Sequence, residues 1–273
     1  MFDCNLKPVF VVGGSTGIGL ELAKVFSSRG ANVYIFARNK DHLELAIQEI
    51  ASKKIRADQK FDYRQMDVSQ PDNVAAVMEE TIAVSGAPAI LLNCAGRAYP
   101  DYFENITNEQ FYQTMSTNFF SIWYIIKIIL PYMKKNGGKI VNISSMCGVM
   151  GVFGYTDYCA SKHAIIGFSE ALRSEIKRYK IDVSVVCPPD TDTPGFHKEN
   201  ETKPRETVEI SKGAKLMQPS EVAAEIIKGI DKGKELIIPG SDGRTLVLLK
   251  RLFPALLEKI MDSSIEKAQK CNT

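Results

Sequence analysis

The sequence lacks several features that mark particular protein classes. Its 273 residues contain no stretch of about 18 apolar residues, so no membrane-spanning helix is predicted. Lys and Arg (34) barely outnumber Asp and Glu (32) and are scattered, which argues against a nucleic-acid partner. The cysteines have no CxxC or metal-ligand spacing, so we predict free thiols and no metal site. They are Cys4, Cys94, Cys147, Cys159, Cys187 and Cys271.

The beginning of the chain also lacks a recognisable secretory signal. Its apolar run, PVFVV, is short and is quickly followed by glycines. Together with thiols placed in apolar runs, this predicts a cytoplasmic protein. With 45% hydrophobic and 24% charged residues, the chain has an ordinary globular composition and is long enough to bury a sizeable core.

Short apolar runs alternate with helical patterns along most of the chain. Runs such as VFVV and AILLNC are almost continuously apolar, which indicates strands buried on both faces of a parallel sheet. The alternation therefore predicts an α/β fold, a doubly wound parallel sheet of about seven strands with helices on both faces. The predicted strands are 9–12, 32–37, 63–68, 89–94, 139–144, 182–187 and 235–238, and the main predicted helices are 17–29, 42–52, 71–85, 108–135 and 156–179.

No linker or repeat interrupts residues 1–243, which we interpret as a single catalytic domain. Within it, segment 188–218 is rich in Pro, Thr, Glu and Lys and has no clear periodicity. A loop of that length in a compact domain is more often a functional lid than a connection. The alternative is a disordered surface insertion.

A glycine-rich turn, GGSTGIG, follows the first predicted strand and leads into a helix. Glycines let the backbone turn tightly and approach a pyrophosphate, whose charge then lies at the helix N-terminus. A plain tight turn would give the same pattern. The candidate cofactor residues here are Gly13, Ser15, Thr16, Gly17, Ile18 and Gly19.

The second strand ends in Ala37 and Arg38. An acidic residue at such a strand end binds the ribose 2′-hydroxyl of NAD, whereas an arginine accommodates the 2′-phosphate of NADP. Arg38 therefore predicts NADPH, although a solvated surface arginine is the alternative. Lys40 and His42 are weaker candidates for the same pocket.

Four residues in the middle of the chain suggest a reduction centre. Tyr158 and Lys162 are four residues apart and share one face of a predicted helix. Ser145 ends a predicted strand thirteen residues before the tyrosine, and Asn118 lies in the preceding long helix. Hydride transfer to a carbonyl leaves charge on oxygen and needs a proton donor there. A free tyrosine has a pKa of about 10, and a neighbouring ammonium is expected to lower it.

The GxxxGxG spacing and the ordered Asn, Ser, Tyr and Lys resemble the short-chain dehydrogenase/reductase family, whose fold is Rossmann-type. The resemblance covers almost the whole chain. It implies that Tyr158 is the acid, that Lys162 holds the nicotinamide ribose, and that Ser145 binds the carbonyl oxygen. It further implies that Asn118 holds a water of the proton relay. By the same resemblance, Asp67, Val68, Asn93, Ala95, Gly96, Pro188 and Thr193 contact the cofactor.

The segment PPDTDTPGF is similar to the branch of that family that reduces a long-chain ketone in sphingolipid synthesis. This similarity implies a lipid ketone as substrate. A generic 3-oxoacyl or steroid ketone reductase shares the same catalytic residues and remains an alternative. A non-catalytic NADPH-binding protein is a third, against which the complete catalytic set argues.

The C-terminal segment 244–273 is predicted to be helical and amphipathic. In a helical projection of 245–261, apolar residues gather on one side. Pro254 is expected to end one helix and begin the next. The apolar side could contact a membrane interface peripherally, or pack on the protein body or on a second copy in a homo-oligomer. The apolar residues are Leu246, Leu249, Leu252, Phe253, Leu256, Leu257 and Ile260.

Overall fold

A computed structural model describes residues 2–270. Its strands are β1 (Pro8–Val12), β2 (Asn32–Ala37), β3 (Phe61–Gln65), β4 (Ile90–Asn93), β5 (Gly138–Ile143), β6 (Ile181–Val186) and β7 (Leu236–Ile237). They form one sheet in the order β3-β2-β1-β4-β5-β6-β7, and every neighbouring pair is parallel. The predicted fold class is confirmed.

Helices cover both faces of the sheet. They are α1 (Gly17–Ser27), α2 (Lys40–Ala51), α3 (Pro71–Ser85), α4 (Asn108–Met115), α5 (Ser121–Met133), α6 (Thr156–Ile176), α7 (Pro194–Glu199), α8 (Arg205–Ser211), α9 (Pro219–Asp231), α10 (Ser241–Leu252) and α11 (Pro254–Lys270). Side chains of β1 alternate between the two cores: Val9 and Val11 pack toward α1, α2 and α9, whereas Phe10 and Val12 pack toward α3, α5 and α6. This two-residue period is why the strand is apolar throughout.

The order of the strands creates a crevice at one edge of the sheet. β1 pairs with β2 on one side and with β4 on the other, so the direction of winding reverses beside β1. In open parallel sheets, ligands bind beyond the carboxyl ends of the strands at such a reversal. The glycine turn, Arg38 and Ser145 all follow carboxyl ends of strands, and the fold thus gathers them at this crevice.

Two segments differ from the sequence prediction. β3 ends at Gln65, so Asp67 and Val68 follow the strand instead of ending it. The interpretation of 188–218 as irregular is wrong, because it contains α7 and α8. Thr193 caps α7 by accepting a hydrogen bond from the amide of Phe196 (3.1 Å), and a proline follows it. A capping threonine before a proline starts a helix, although a stretch rich in Pro, Thr, Glu and Lys without clear periodicity predicts a loop.

At the C-terminal end, α10 stops before Phe253 and Pro254 begins α11, because proline fits a first helical turn but not a helix interior. Lys267 pairs with Glu209 (2.7 Å), which ties α11 to α8. No helix between residues 2 and 270 is long and apolar enough to cross a membrane. The last residues of the predicted segment, 271–273, lie outside the described part, and Cys271 with them.

Candidate active site

The turn between β1 and α1 brings its backbone against the end of β4. Gly13 has a φ of +78°, and a Cβ there would lie 2.7 Å from the backbone nitrogen of Ala95. A Cβ on Gly19 would lie 2.2 Å from the carbonyl oxygen of Gly13. No side chain fits at either position, so the N-terminus of α1 faces the crevice with bare backbone.

A cleft of about 1440 Å³ opens above the carboxyl ends of the strands. Asp67, Asn93 and Asn118, which the sequence placed at the site, are not on its wall. The other candidate residues line it: Gly13, Ser15, Thr16, Gly17, Ile18, Gly19, Arg38, Val68, Ala95, Gly96, Ser145, Tyr158, Lys162, Pro188 and Thr193. One continuous cavity therefore joins the glycine turn to the candidate catalytic residues.

Two of the residues that do not line the cleft, Asp67 and Asn93, make hydrogen bonds within the protein instead. The Oδ1 atom of Asp67 accepts hydrogen bonds from the amide (3.0 Å) and hydroxyl (2.8 Å) of Ser69. The preceding residue, Met66, reaches the cleft instead. Asn93 is buried and donates to Oδ1 of Asn142 (2.8 Å), which joins the ends of β4 and β5. In this structure both side chains hold the protein's own backbone and strands.

Arg38 occupies one end of the cleft directly after β2. Its side chain is exposed, and no carboxylate within residues 2–270 pairs with it. Its backbone is fixed because Gln65 Nε2 donates to the Arg38 carbonyl (2.8 Å). Of the two weaker candidates, His42 lines the cleft, whereas Lys40 pairs with Glu44 (3.6 Å). The guanidinium is thus free to bind an anion.

The two adjacent serines after β5 have different surroundings. Ser144 is 2% exposed and its hydroxyl donates to the carbonyl of Lys162 (2.8 Å), so it fastens β5 to α6. Ser145 is partly exposed, and its oxygen accepts from the amide of Cys147 (3.1 Å). That contact uses the oxygen as an acceptor and leaves the hydroxyl proton available to a ligand.

Tyr158 and Lys162 lie on the cleft side of α6. The Lys162 Nζ lies 5.4 Å from the centre of the Tyr158 ring and donates to the carbonyl of Ile143 (3.1 Å). The lysine is 3% exposed, since it passes beneath Gly96, where a Cβ would come within 3.3 Å of its nitrogen. Glycine at 96 therefore gives the lysine its path to the cleft.

Asn118 lies in a π-helical turn, Ser116–Phe120, between α4 and α5. Its side chain is fully buried: Oδ1 accepts from the amide of Arg97 (2.8 Å), and Nδ2 donates to the carbonyl of Arg97 (3.0 Å) and to the hydroxyl of Ser161 (2.9 Å). Both amide donors are used within the protein. The side chain thus joins the loop after β4 to Ser161 of α6, the residue before Lys162. Turns of π-helix are frequent at functional sites.

Comparison with known proteins agrees with this geometry. Residues 7–204 match the short chain dehydrogenase family. The chain belongs to that family. Its members are oxidoreductases, and membership supports a nicotinamide cofactor, for which the cleft is the candidate site. A short-chain dehydrogenase/reductase from Burkholderia phymatum, solved in complex with NAD, has the same fold, with a TM-score of 0.82 at 19% identity over 94% of this chain and 96% of that one.

Curated relatives of this short-chain dehydrogenase are similar over most of their length. A 3-ketodihydrosphingosine reductase from Dictyostelium discoideum is 40% identical over 85% of this chain and 74% of that protein. A 3-ketodihydrosphingosine reductase from Bos taurus is 40% identical over 87% and 72%. A 3-oxoacyl-(acyl-carrier-protein) reductase from Chlamydia muridarum is 36% identical over 68% and 75%.

The residues of this dehydrogenase fit a nicotinamide dinucleotide. Gly17 has a φ of +55°, and a Cβ there would lie 2.9 Å from the Thr193 side chain. The start of α1 and the segment after β6 therefore lie close together at the cleft. A bare helix N-terminus suits a pyrophosphate, and Lys162 lies at the far end from Arg38. The cofactor would therefore extend from Arg38 to Tyr158.

Burial dominates the protonation of the catalytic pair. It raises the pKa of Tyr158 well above its usual value, an effect increased by Cys147 and Glu199 and opposed by the Ser145 hydroxyl. Burial also lowers the pKa of Lys162 to about 8. The sequence suggested the reverse for Tyr158, because it could not show how deeply the pair is enclosed. The phenol therefore keeps its proton at neutral pH, although a raised pKa also makes it a weaker acid than free tyrosine.

Several cleft residues escaped the sequence analysis. Tyr155, Cys147, Asp190 and Glu199 line the same cleft as Tyr158. The tyrosine could have been found, since three residues before Tyr158 at a helix start places it on the same side. The two carboxylates had no signal, because α7 was not predicted and their approach to α6 depends on the folding of 188–218.

Proposed function

We propose that this protein reduces the 3-keto group of 3-ketosphinganine to sphinganine with NADPH, a step of sphingolipid synthesis. One observation carries the proposal. The relatives named 3-ketodihydrosphingosine reductase reach 40% identity over 85–87% of this chain, whereas two Chlamydia 3-oxoacyl reductases reach 36% over 68% and 32% over 80%.

The glycine turn, Arg38 and Lys162 would hold the cofactor, whose nicotinamide would supply hydride to the carbonyl carbon. Ser145 donates its free hydroxyl proton to the carbonyl oxygen and holds it beside Tyr158, which transfers its phenolic proton to that oxygen. Lys162 keeps a positive charge beneath the ring and binds the nicotinamide ribose. Asn118 joins the backbone of Arg97 to the hydroxyl of Ser161, the residue before Lys162, and so positions that part of α6.

The remainder of the cleft suits a long alkyl chain. Apolar side chains on its wall include Met150, Val152, Ile210 and Leu246. Ile210 belongs to α8, so segment 188–218 forms part of this wall and acts as the lid over the reacting end. Burial of the chain supplies about 0.8 kcal/mol for each CH₂ group.

The reaction itself is tested by following NADPH oxidation with 3-ketosphinganine, a short 3-oxoacyl thioester and a ketosteroid. We expect the sphingoid ketone to give the highest kcat/KM. A preference for the thioester or the steroid would assign the protein to the generic reductases. Cofactor binding without turnover of any ketone would identify a non-catalytic NADPH-binding protein.

The choice of NADPH depends on Arg38. Replacing it with Ala should weaken NADPH binding by about 1.5–3 kcal/mol, the range of a hydrogen bond to a charged group, which is about ten- to hundredfold in affinity. NADH affinity should barely change, because NADH has no 2′-phosphate. Titration of both cofactors measures this, with Lys40→Ala as the matched control, since Lys40 points to Glu44. Equal affinities of the unmodified protein for the two cofactors would contradict the assignment.

The lowered pKa of Lys162 gives the reaction a pH limit. The ammonium form is present below about pH 8 and is lost as the pH rises through that value. The raised pKa of Tyr158 keeps the phenol protonated over the same range. We therefore expect kcat/KM for ketone reduction to fall above about pH 8, and this profile reports groups of the free enzyme. A constant kcat/KM up to pH 10 would show that the charge of Lys162 is not required.

We also propose that the C-terminal helices contact a membrane surface peripherally. Only part of the predicted apolar side is packed against the protein: Leu257, for example, is only 6% exposed. Four other apolar residues around the break between α10 and α11 remain 50–58% exposed: Leu252, Phe253, Leu256 and Ile260. Exposed Arg251 and Lys259 flank them and have no acidic partner within residues 2–270. Cations beside an apolar surface suit an anionic lipid interface, where a lipid substrate would be found.

Flotation with phosphatidylserine vesicles tests this contact. The full chain should float with the vesicles, and Phe253→Asp should leave it in solution, since a carboxylate at the apolar centre opposes insertion. Phe103→Asp is the matched control, because Phe103 is 75% exposed but lies far along the chain from these helices. If the unmodified chain fails to float, the membrane proposal is wrong; if Phe253→Asp instead changes the oligomer, the surface binds a second copy.

A further inference from the structure

Two carboxylates, Asp190 and Glu199, line the cleft on the side of Tyr158 away from the glycine turn. Glu199 is fully engaged within the protein. It accepts a hydrogen bond from the Tyr155 hydroxyl (3.0 Å) and pairs with Lys203 (3.4 Å), whose side chain is only 5% exposed. Glu199 therefore has both a donor and a compensating cation.

Asp190 has neither. Within residues 2–270 no side chain or backbone amide donates a hydrogen bond to its carboxylate, and no cation pairs with it directly. It is nevertheless half-buried, and burial raises the pKa of its carboxyl, an effect opposed by the charge of Lys203. A carboxylate removed from water without a partner is costly, and a bound cation would relieve that cost.

The position of Asp190 is fixed. Its carbonyl accepts from the amide of Met217 (3.1 Å), and the hydroxyl of Thr191 donates to the carbonyl of Pro189 (2.8 Å). The proline before it limits the backbone further. The carboxylate is thus presented to the cleft by a rigid turn instead of a mobile loop.

This turn is joined to the reacting end of the cleft. The amide of Met146, directly after Ser145, donates to the carbonyl of Pro188 (3.1 Å). Burial first, and then acidic neighbours that include Asp190, raise the pKa of Tyr155, which packs 5.6 Å from Tyr158 between ring centres. Asp190 therefore lies close to the place where the substrate carbonyl meets Ser145 and Tyr158.

We propose that Asp190 binds a protonated amine on the carbon next to the reacting ketone and so selects amino ketones over uncharged ketones. This rests on the proposed function, since 3-ketosphinganine has such an amine beside its 3-keto group. With the carbonyl held by Ser145 and Tyr158, the ammonium lies one carbon away and faces the free carboxylate. An ammonium–carboxylate hydrogen bond is about twice as strong as a neutral one. A 3-oxoacyl thioester has no cation and leaves Asp190 unpaired, which discriminates against it.

Kinetics of Asp190→Asn with two ketones test the proposal. The ketones are 3-ketosphinganine and the same long-chain 3-keto alcohol without its amine. The substitution keeps the size of the side chain but removes its charge. We expect KM for the amino ketone to rise about ten- to hundredfold, and kcat/KM for the amine-free ketone to stay the same or rise. Asp192→Asn is the matched control, because Asp192 lies on the same turn but pairs with His197 (2.7 Å) and is not on the cleft wall.

Each other outcome has a defined meaning. Equal losses on both ketones would show that Asp190 supports the shared chemistry, and no change on either would show that it does not meet the substrate; both overturn the proposal. Failure of the unmodified enzyme to reduce 3-ketosphinganine would overturn the proposed function. In that case, binding of sphinganine compared with its amine-free analogue, measured by calorimetry on the unmodified protein and on Asp190→Asn, still decides whether Asp190 binds the amine.

Discussion

Tyr158→Phe is expected to lower kcat for ketone reduction by about 10²–10⁴ while leaving NADPH binding intact. The ring would keep its place on the cleft wall, beside the Tyr155 ring at 5.6 Å and above Lys162 at 5.4 Å. Only the proton donor is lost. Single-turnover measurements with saturating NADPH separate this chemical loss from any change in binding.

Tyr155→Phe is the control for Tyr158→Phe. The Tyr155 hydroxyl is engaged by Glu199 (3.0 Å), so its removal should cost far less activity, although both rings line the same cleft. Near-normal turnover by Tyr158→Phe would show that the proton comes from elsewhere. A comparable loss in both variants would point to ring packing and not to proton transfer.

The sequence predicted most strongly those parts of the site that local geometry determines. Gly13 and Gly19 are required by close backbone contacts around one strand–turn–helix unit, and their spacing is visible in the sequence. Tyr158 and Lys162 share a helix face for the same reason, and Arg38 follows directly from the end of β2. None of these placements depends on a distant segment.

The features that sequence reasoning missed depend on contacts between distant parts of the chain. The raised pKa of Tyr158 results from burial and then from Cys147 and Glu199, and no local pattern in the sequence shows that these groups meet. The side-chain contacts of Asn118 with Arg97 and Ser161 span 21 and 43 residues. Asp190 belongs to the segment PPDTDTPGF, but its place on the cleft wall beside residues of β5 and α6 is visible only in the structure.

The choice between Ser144 and Ser145 illustrates the same division, because thirteen-residue spacing alone selected Ser145. The structure adds a physical reason that makes the two serines separable by experiment. Ser144 has its proton committed to the Lys162 carbonyl and is 2% exposed, whereas the Ser145 hydroxyl is partly exposed and lies on the cleft wall with Tyr158. One serine should therefore contribute to stability and the other to the reaction.

Ser145→Ala is expected to lower kcat by about 10²–10³, the cost of removing one donor to a developing oxyanion, with little change in Tm. Ser144→Ala should show the opposite pattern. It removes a buried hydrogen bond of 2.8 Å between β5 and α6, so the free energy of unfolding should fall by about 0.5–1.5 kcal/mol while kcat changes little. Steady-state kinetics and thermal unfolding of both variants measure the two effects side by side. If Ser144→Ala abolishes turnover and Ser145→Ala only lowers Tm, the substrate carbonyl meets Ser144, and the hydrogen bond to Lys162 must open during the reaction.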